Sequence, residues 1–255
     1  MLYNNRMMTI ETFFREHPKT AIAFSGGVDS AYLLYEAVRN GADVHAYYVN
    51  AQFQPAFELR DARKLAAQVG AKMTVIEKDV LAVPEVRANP EDRCYYCKQS
   101  IFGTILAKAG EDGYTEILDG TNASDDASDR PGMRALAEMR VLSPLRICGL
   151  TKEEIRRRSK EAGLFTWDKP AYACLATRIP TGTEITKEAL WRTEQAENYL
   201  FEQGYTDFRV RTTKEDSALV QVPSAQTARI KEEWQQIEQK LLTWYPEVLL
   251  DPNPR

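Results

Sequence analysis

The sequence predicts an α/β fold, a doubly wound parallel sheet followed by a small C-terminal α+β domain. Three observations predict it. Apolar runs and segments of helical period alternate along the first two-thirds of the chain, the order that a parallel sheet with crossover helices requires. One of those runs, Ala21-Ile-Ala-Phe24, opens into a Ser/Gly turn and then a helix, the junction beyond which such sheets bind ligands. After a proline-broken stretch at 167–180 the pattern changes to two short strands set between long helices. At 255 residues the chain is long enough for one large α/β domain and an appendage, which we divide as 1–168 and 169–255.

Taken in order, a short helix over 9–16 delivers a strand at 20–24, and residues 30–39 continue from the turn as the first crossover helix. Strands follow at 44–49 and 72–77, with a helix over 58–69 between them that stops at Gly70. Residues 84–90 read as a loop, 98–110 as a helix, 115–118 as a strand and 140–145 as the last core strand. Thr151-Lys-Glu-Glu154 opens a helix with a capping-box pattern. The appendage has a helix over 187–203, strands at 207–211 and 218–222, and a helix over 225–242.

The turn reads Ser25-Gly26-Gly27-Val28-Asp29-Ser30. Adjacent glycines let backbone approach a ligand closely, and the helix that follows offers unpaired N–H groups and the positive end of its dipole, so the junction suits a polyphosphate. No P-loop lysine and no dinucleotide fingerprint is present. At the end of the 115–118 strand come Asp119-Gly120-Thr121-Asn122, Asp125, Asp126 and Asp129-Arg130-Pro-Gly132. Standing alone these would be a solvated loop. At the sheet edge that carries the turn, Asp125 together with Asp29 suits Mg²⁺, and Gly120, Thr121 and Asn122 suit the nucleotide.

Composition sets outer bounds. A net charge of −4 gives no electrostatic footprint for nucleic acid, so no nucleic-acid partner is expected. The first residues are mixed rather than signal-like, no run approaches a membrane span, and four cysteines fit reduced thiols, so a cytoplasmic protein with no membrane partner is expected. Arg93-Cys94-Tyr-Tyr-Cys97-Lys98 has too few companion ligands for a zinc site, with two histidines in the chain. A redox pair, an iron–sulfur cluster completed by Cys148 or Cys174, and a helix start packed by two thiols remain, and we adopt the packed start. Cys174 lies between Lys169 and Arg178, cations that would lower a thiol's pKa; a nucleophile and a small buried residue are both compatible with that position. Arg209 and Arg211 alternate onto one face of a strand, facing either a phosphate or water.

Together with Ser143-Pro-Leu145, Lys169-Pro170 and Cys174-Leu-Ala-Thr-Arg-Ile-Pro180, these motifs resemble the ATP-dependent sacrificial sulfur transferases, the LarE family of the PP-loop ATP pyrophosphatases, over almost the whole chain. The resemblance implies a Rossmann-like fold of the adenine nucleotide alpha hydrolase type. It implies adenylation of a carboxylate of pyridinium-3,5-dicarboxylate mononucleotide, attack by a cysteine, and cleavage of the cysteine Cβ–S bond, which leaves dehydroalanine and yields a nickel-pincer cofactor. By the same resemblance Ser25, Gly26, Gly27, Asp29 and Ser30 bind pyrophosphate and magnesium, Cys174 gives the sulfur, and Arg209, Arg211 and Arg178 hold the substrate phosphate. ATP and Mg²⁺ are the implied cofactors, and the implied partners are a small nucleotide substrate, further copies of the chain and a downstream nickel-insertion protein. Two departures bear on the substrate: Ala218-Leu219-Val220-Gln221 stands where the family reads close to Ala-Arg-Ile-Glu, and a longer glycine-containing ending is expected after Arg255. The rival readings are a synthetase similar to NAD synthetase, in which ammonia attacks the adenylate and Cys174 is dispensable, and a nucleotide-binding regulator without turnover.

Overall fold

The computed structural model describes residues 8–126 and 131–255. The opening residues Met1 to Met7 and the expected Asp129-Arg130 pair lie outside these. The chain forms two compact units, one of residues 1–51, 56–78 and 94–169, the other of 52–55, 79–93 and 170–255.

Unit 1 begins with α1 (Ile10–Glu16), whose first turn is capped by the Thr9 hydroxyl accepting from the Thr12 N–H. Then β1 (Lys19–Ala23), α2 (Val28–Arg39), β2 (Asp43–Asn50), α3 (Ala56–Val69) and β3 (Lys72–Glu77) alternate as expected. After α4 (Pro84–Arg87), which belongs to unit 2, come α5 (Arg93–Glu111), β4 (Ile117–Leu118), α6 (Pro131–Glu138), α7 (Pro144–Ile147) and α8 (Lys152–Glu161). The strands pair in parallel in the order β3-β2-β1-β4. Thr20, Ala21 and Ile22 of the inner strand β1 are fully buried, which is why that strand reads as an unbroken run rather than an alternation. Ile22, Phe24, Leu33, Leu34, Leu65 and Leu118 share one core that locks α2 and α3 onto the sheet. The order reverses between β1 and β4, so the loops leaving those two strands flank the topological switch point.

Two expectations in unit 1 need correction. Residues 140–145 make no strand: one parallel bridge joins Leu142 to Leu118, because Arg140 stands at φ 54° and Pro144 turns the chain into α7. The helix expected over 98–110 begins five residues earlier, at Arg93. At α8 the Thr151 hydroxyl accepts from the Glu154 N–H, but the Glu154 carboxylate turns to Arg157 and Arg158.

Unit 2 holds the second sheet, β5 (Arg209–Thr212), β6 (Ala218–Gln221) and β7 (Val248–Leu250), with β5 and β6 antiparallel and β6 and β7 parallel. The helices α9 (Lys187–Glu202), α10 (Thr227–Glu232) and α11 (Trp234–Leu241) accompany it, and Leu200, Tyr205, Phe208, Val210, Val220 and Ile237 form its core. The single helix expected over 225–242 is broken at Glu233, and β7 is a strand that its three apolar residues did not announce. Residues 84–90 are not wholly loop: Pro84 starts α4, and the Asn89 side chain, buried at φ 56°, donates to the Pro180 carbonyl at 2.8 Å. Among the described residues no helix is long and apolar enough to cross a membrane.

Candidate active site

The turn after β1 is a backbone cradle. Gly26 adopts φ 72°, and a side chain there would sit 3.1 Å from the Ala62 Cβ, so both conformation and space call for glycine. Gly27 caps α2 without a side-chain bond, so no side-chain cap occupies the first amides of the helix, the groups that suit an anion. Ser30 braces the turn: its hydroxyl donates to the Gly27 carbonyl at 3.2 Å and lies 3.0 Å from the Ser25 hydroxyl. Gly120, on the loop after β4, lets that loop touch the helix start, since a Cβ there would meet the Ser30 nitrogen at 2.9 Å. The two motifs expected at one sheet edge are therefore packed against each other.

Carboxylates and cations gather around this cradle. Asp29 accepts from the Lys152 ammonium at 2.5 Å and from the Asn122 side-chain amide at 3.4 Å. Burial nonetheless holds its carboxyl above the usual carboxylate range, against the pull of Lys152. Asp125 accepts from the Asn122 N–H at 2.9 Å, and Asp119 accepts from the Thr121 and Ser143 hydroxyls at 2.5 and 2.6 Å. Lys98 lies under α6, where a Cβ on Gly132 would stand 3.1 Å from its methylenes, and burial pushes its pKa down. Among the described residues no three His, Cys, Asp or Glu side chains are grouped to hold a metal ion.

In unit 2, Cys174 is half-buried and heads a 3₁₀ turn, Leu175–Arg178. Neither expected cation is available to it as an unpaired charge. Lys169 gives its ammonium to Asp61 at 2.6 Å, and Arg178 is 1% exposed, bonded through Nε to Glu197 at 2.8 Å. Arg178 donates also to the Ala173 carbonyl and the Thr177 hydroxyl, so most of its donors are engaged within the protein. Arg209 and Arg211 do share a face. Arg209, 7% exposed, donates to the Phe208 and Ala171 carbonyls, and burial holds its guanidinium down to about 10. Arg211 is half-buried and donates to Gln221 Oε1 at 2.6 Å. Their cross-strand partners are Gln221 and Leu219, the two departures noted in the sequence.

Comparison with known proteins shows the family to which the chain belongs. The queuosine biosynthesis protein QueC family model matches residues 19–88, the stretch that carries the cradle. An uncharacterized protein of Synechocystis is 37% identical over 228 residues, 88% of this chain and 84% of its own. The pyridinium-3,5-bisthiocarboxylic acid mononucleotide synthase of Lactiplantibacillus plantarum is 30% identical over 219 residues, 85% of this chain and 79% of its own. The chain belongs to the sacrificial sulfur transferase family. It is an ATP-dependent, sulfur-transferring enzyme. A tRNA-specific 2-thiouridylase of Pseudothermotoga lettingae is similar at 26% over 187 residues, 59% of this chain and 54% of its own.

For this sulfur transferase the packed reading of the Cys-x-x-Cys pair fails, because Cys94 is exposed and Cys97 half-buried at the start of α5. Cys148 is the buried thiol, pushed up to about 11 by burial, which makes it a poor thiolate at neutral pH. Sequence reasoning missed Lys152, Thr177 and Glu197. Lys152 was visible in the capping motif, but nothing in that motif says that its ammonium reaches Asp29, more than a hundred residues earlier.

Proposed function

We propose that the enzyme adenylates a carboxylate of pyridinium-3,5-dicarboxylate mononucleotide and sulfurates it with the thiol of Cys174, in biosynthesis of a nickel-pincer cofactor. The observation that carries this reading is the uncapped glycine cradle at the switch point of a parallel sheet, in a chain that also sets a half-buried cysteine at the head of a braced turn.

In the first half-reaction the amides at Gly26, Gly27 and the start of α2 hold the pyrophosphate end of ATP, with the Ser25 and Ser30 hydroxyls beside them and the loop at Gly120, Thr121 and Asn122 on the other side. A substrate carboxylate oxygen attacks the α-phosphorus, the bond to the bridging oxygen breaks, and pyrophosphate leaves. Asp29 and Asp125 fit Mg²⁺, which commonly takes one or two carboxylates and completes its shell with phosphate oxygens. When bound, the ion would neutralise charge on the departing pyrophosphate.

In the second half-reaction the Cys174 thiolate displaces AMP from the acyl carbon and forms a thioester. The Cβ–S bond then breaks, sulfur leaves on the product as a thiocarboxylate, and residue 174 becomes dehydroalanine. Arg211 suits the acceptor phosphate: Gln221 is neutral where the family carries an acid, so the guanidinium charge is not cancelled by its partner.

Intact-mass measurement after incubation with acceptor, ATP and Mg²⁺ tests the reading. One turnover should release AMP and pyrophosphate and lower the protein mass by about 34 Da, mapped to the Cys174 peptide. Release of ADP, or repeated sulfuration at unchanged mass, refutes it.

A further inference from the structure

The bond-breaking step leaves a demand that the cysteine alone does not meet. Freeing sulfur from Cβ requires removal of the proton on Cα of residue 174, and the electron pair left there is delocalised onto the carbonyl oxygen of the same residue. That oxygen therefore gains negative charge on the way to dehydroalanine, and donors already aimed at it lower the barrier.

The structure directs three donors at it. The Thr177 N–H lies 3.0 Å from the Cys174 carbonyl oxygen, the Thr177 hydroxyl 2.8 Å and the Arg178 Nη1 3.5 Å. Arg178 Nη1 also donates to the Thr177 hydroxyl at 2.7 Å, so the hydroxyl proton is turned towards the carbonyl and polarised by a cation behind it. The guanidinium is held from its other side by Glu197, through Nε at 2.8 Å and Nη2 at 3.2 Å. An ordinary 3₁₀ turn needs the amide bond alone, and neither the hydroxyl bond nor a fully buried arginine behind it is required to make one.

We infer that Thr177 is a catalytic residue whose hydroxyl, polarised by Arg178, stabilises the enolate formed at Cys174 when the Cβ–S bond breaks. The inference rests on Cys174 being the sulfur donor. The step balances without an oxidant: the Cα proton goes to water, its bonding pair becomes the Cα=Cβ bond, and the Cβ–S pair leaves with the thiocarboxylate. Glu197 is a positioning residue, since it acts through Arg178, which polarises Thr177 and adds its own longer contact to the same oxygen.

Thr177 is exposed, so Thr177→Val removes the hydroxyl at little cost to folding, and Thr177→Ser restores it. The first measurement is turnover followed by intact mass. The Val variant should accumulate the protein–acceptor thioester because elimination slows by about 10²-fold, the usual loss for one such donor. The Ser variant should eliminate like the wild type. The second measurement needs neither ATP nor acceptor: Cys174 is S-cyanylated with 2-nitro-5-thiocyanobenzoate, and mild base expels thiocyanate to leave dehydroalanine. Wild type and Ser variant should eliminate at residue 174 much faster than the Val variant, while exposed Cys94 eliminates equally in all three. Equal elimination at residue 174 in wild type and Val variant overturns the role of Thr177. Wild-type turnover without loss of mass overturns sulfur donation instead, and the cyanylated proteins still decide whether the donors stabilise the enolate.

Discussion

Unit 1 and unit 2 build their candidate sites in opposite ways. The cradle of unit 1 is made of backbone, with Gly26 at positive φ, Gly27 leaving helix amides uncapped and Gly120 admitting a second loop. The surroundings of Cys174 in unit 2 are made of side chains, and the central one is Glu197. Its carboxylate accepts from Arg178, from the Tyr172 hydroxyl and from the Val210 N–H at 3.0 Å, tying a loop, a helix and a strand together from inside the core. A backbone site can be written in six consecutive residues. A side-chain site must draw its parts from distant positions and satisfy buried charges before any substrate arrives.

The division is broken most decisively at Cys174. Cys174→Ser should abolish sulfur transfer completely while ATP cleavage to AMP and pyrophosphate persists, since serine has neither thiolate nor sulfur to give. Quantifying AMP and thiolated product in the same reaction checks this, and loss of both activities would mean that the cysteine also serves adenylation.

That contrast explains what could be read from the sequence. The alternation of elements, the turn at 25–30 and the loop at 119–122 were legible because periodicity and glycine placement are local signals. The role of Arg178 was not. Its place beside Cys174 reads as a cation that lowers the thiol's pKa, and only Glu197, on a helix nineteen residues further on, shows that the charge is internal. Arg140–Leu145 misled for the complementary reason: an apolar pattern signals burial, and burial at the sheet edge was satisfied here by one bridge and a turn into α7. The two departures at Leu219 and Gln221 gained meaning only with the register, which sets them opposite Arg211 and Arg209.

A second prediction addresses stability. Arg178 and Glu197 are each 1% exposed, and removing one partner leaves the other charge buried without compensation. Glu197→Gln should lower unfolding free energy by about 3–5 kcal/mol, read by chemical denaturation. The double change Arg178→Met with Glu197→Leu should recover part of that loss, because no unpaired charge remains although the Val210 N–H and Tyr172 hydroxyl lose their acceptor, yet sulfur transfer should stay impaired. Full recovery of transfer in the double variant would reduce the pair to a packing element.

Arg211, proposed above to meet the acceptor phosphate, gives a smaller effect that sharpens the comparison. Arg211→Ala should weaken acceptor binding by about 1.5–3 kcal/mol and leave ATP affinity unchanged, as expected for one charge-assisted contact. Calorimetry with each ligand separates the two, and an equal loss for ATP would remove the assignment to the acceptor.

The smallest effect on stability concerns Asp29, the one charged side chain that the cradle carries on its own turn. Burial raises its pKa above the ordinary value of 3.8 even with Lys152 at 2.5 Å, so the folded chain holds this proton more tightly than the unfolded chain does. Below 3.8 both states are protonated and the group contributes nothing to the pH dependence. As pH rises towards the folded value the unfolded state loses its proton first, and stability falls until both states are ionised. A carboxamide in place of the carboxyl does not ionise in this range. The stability difference between Asp29→Asn and the wild type should therefore be constant in acid, shift in favour of the variant as pH rises through the raised carboxylate range, and then level off, while adenylation is lost throughout. Denaturation at a series of pH values reads the difference. A shift in the opposite direction would mean that the ion pair with Lys152 outweighs burial, and that unit 1, like unit 2, compensates its charge internally rather than keeping it for the ligand.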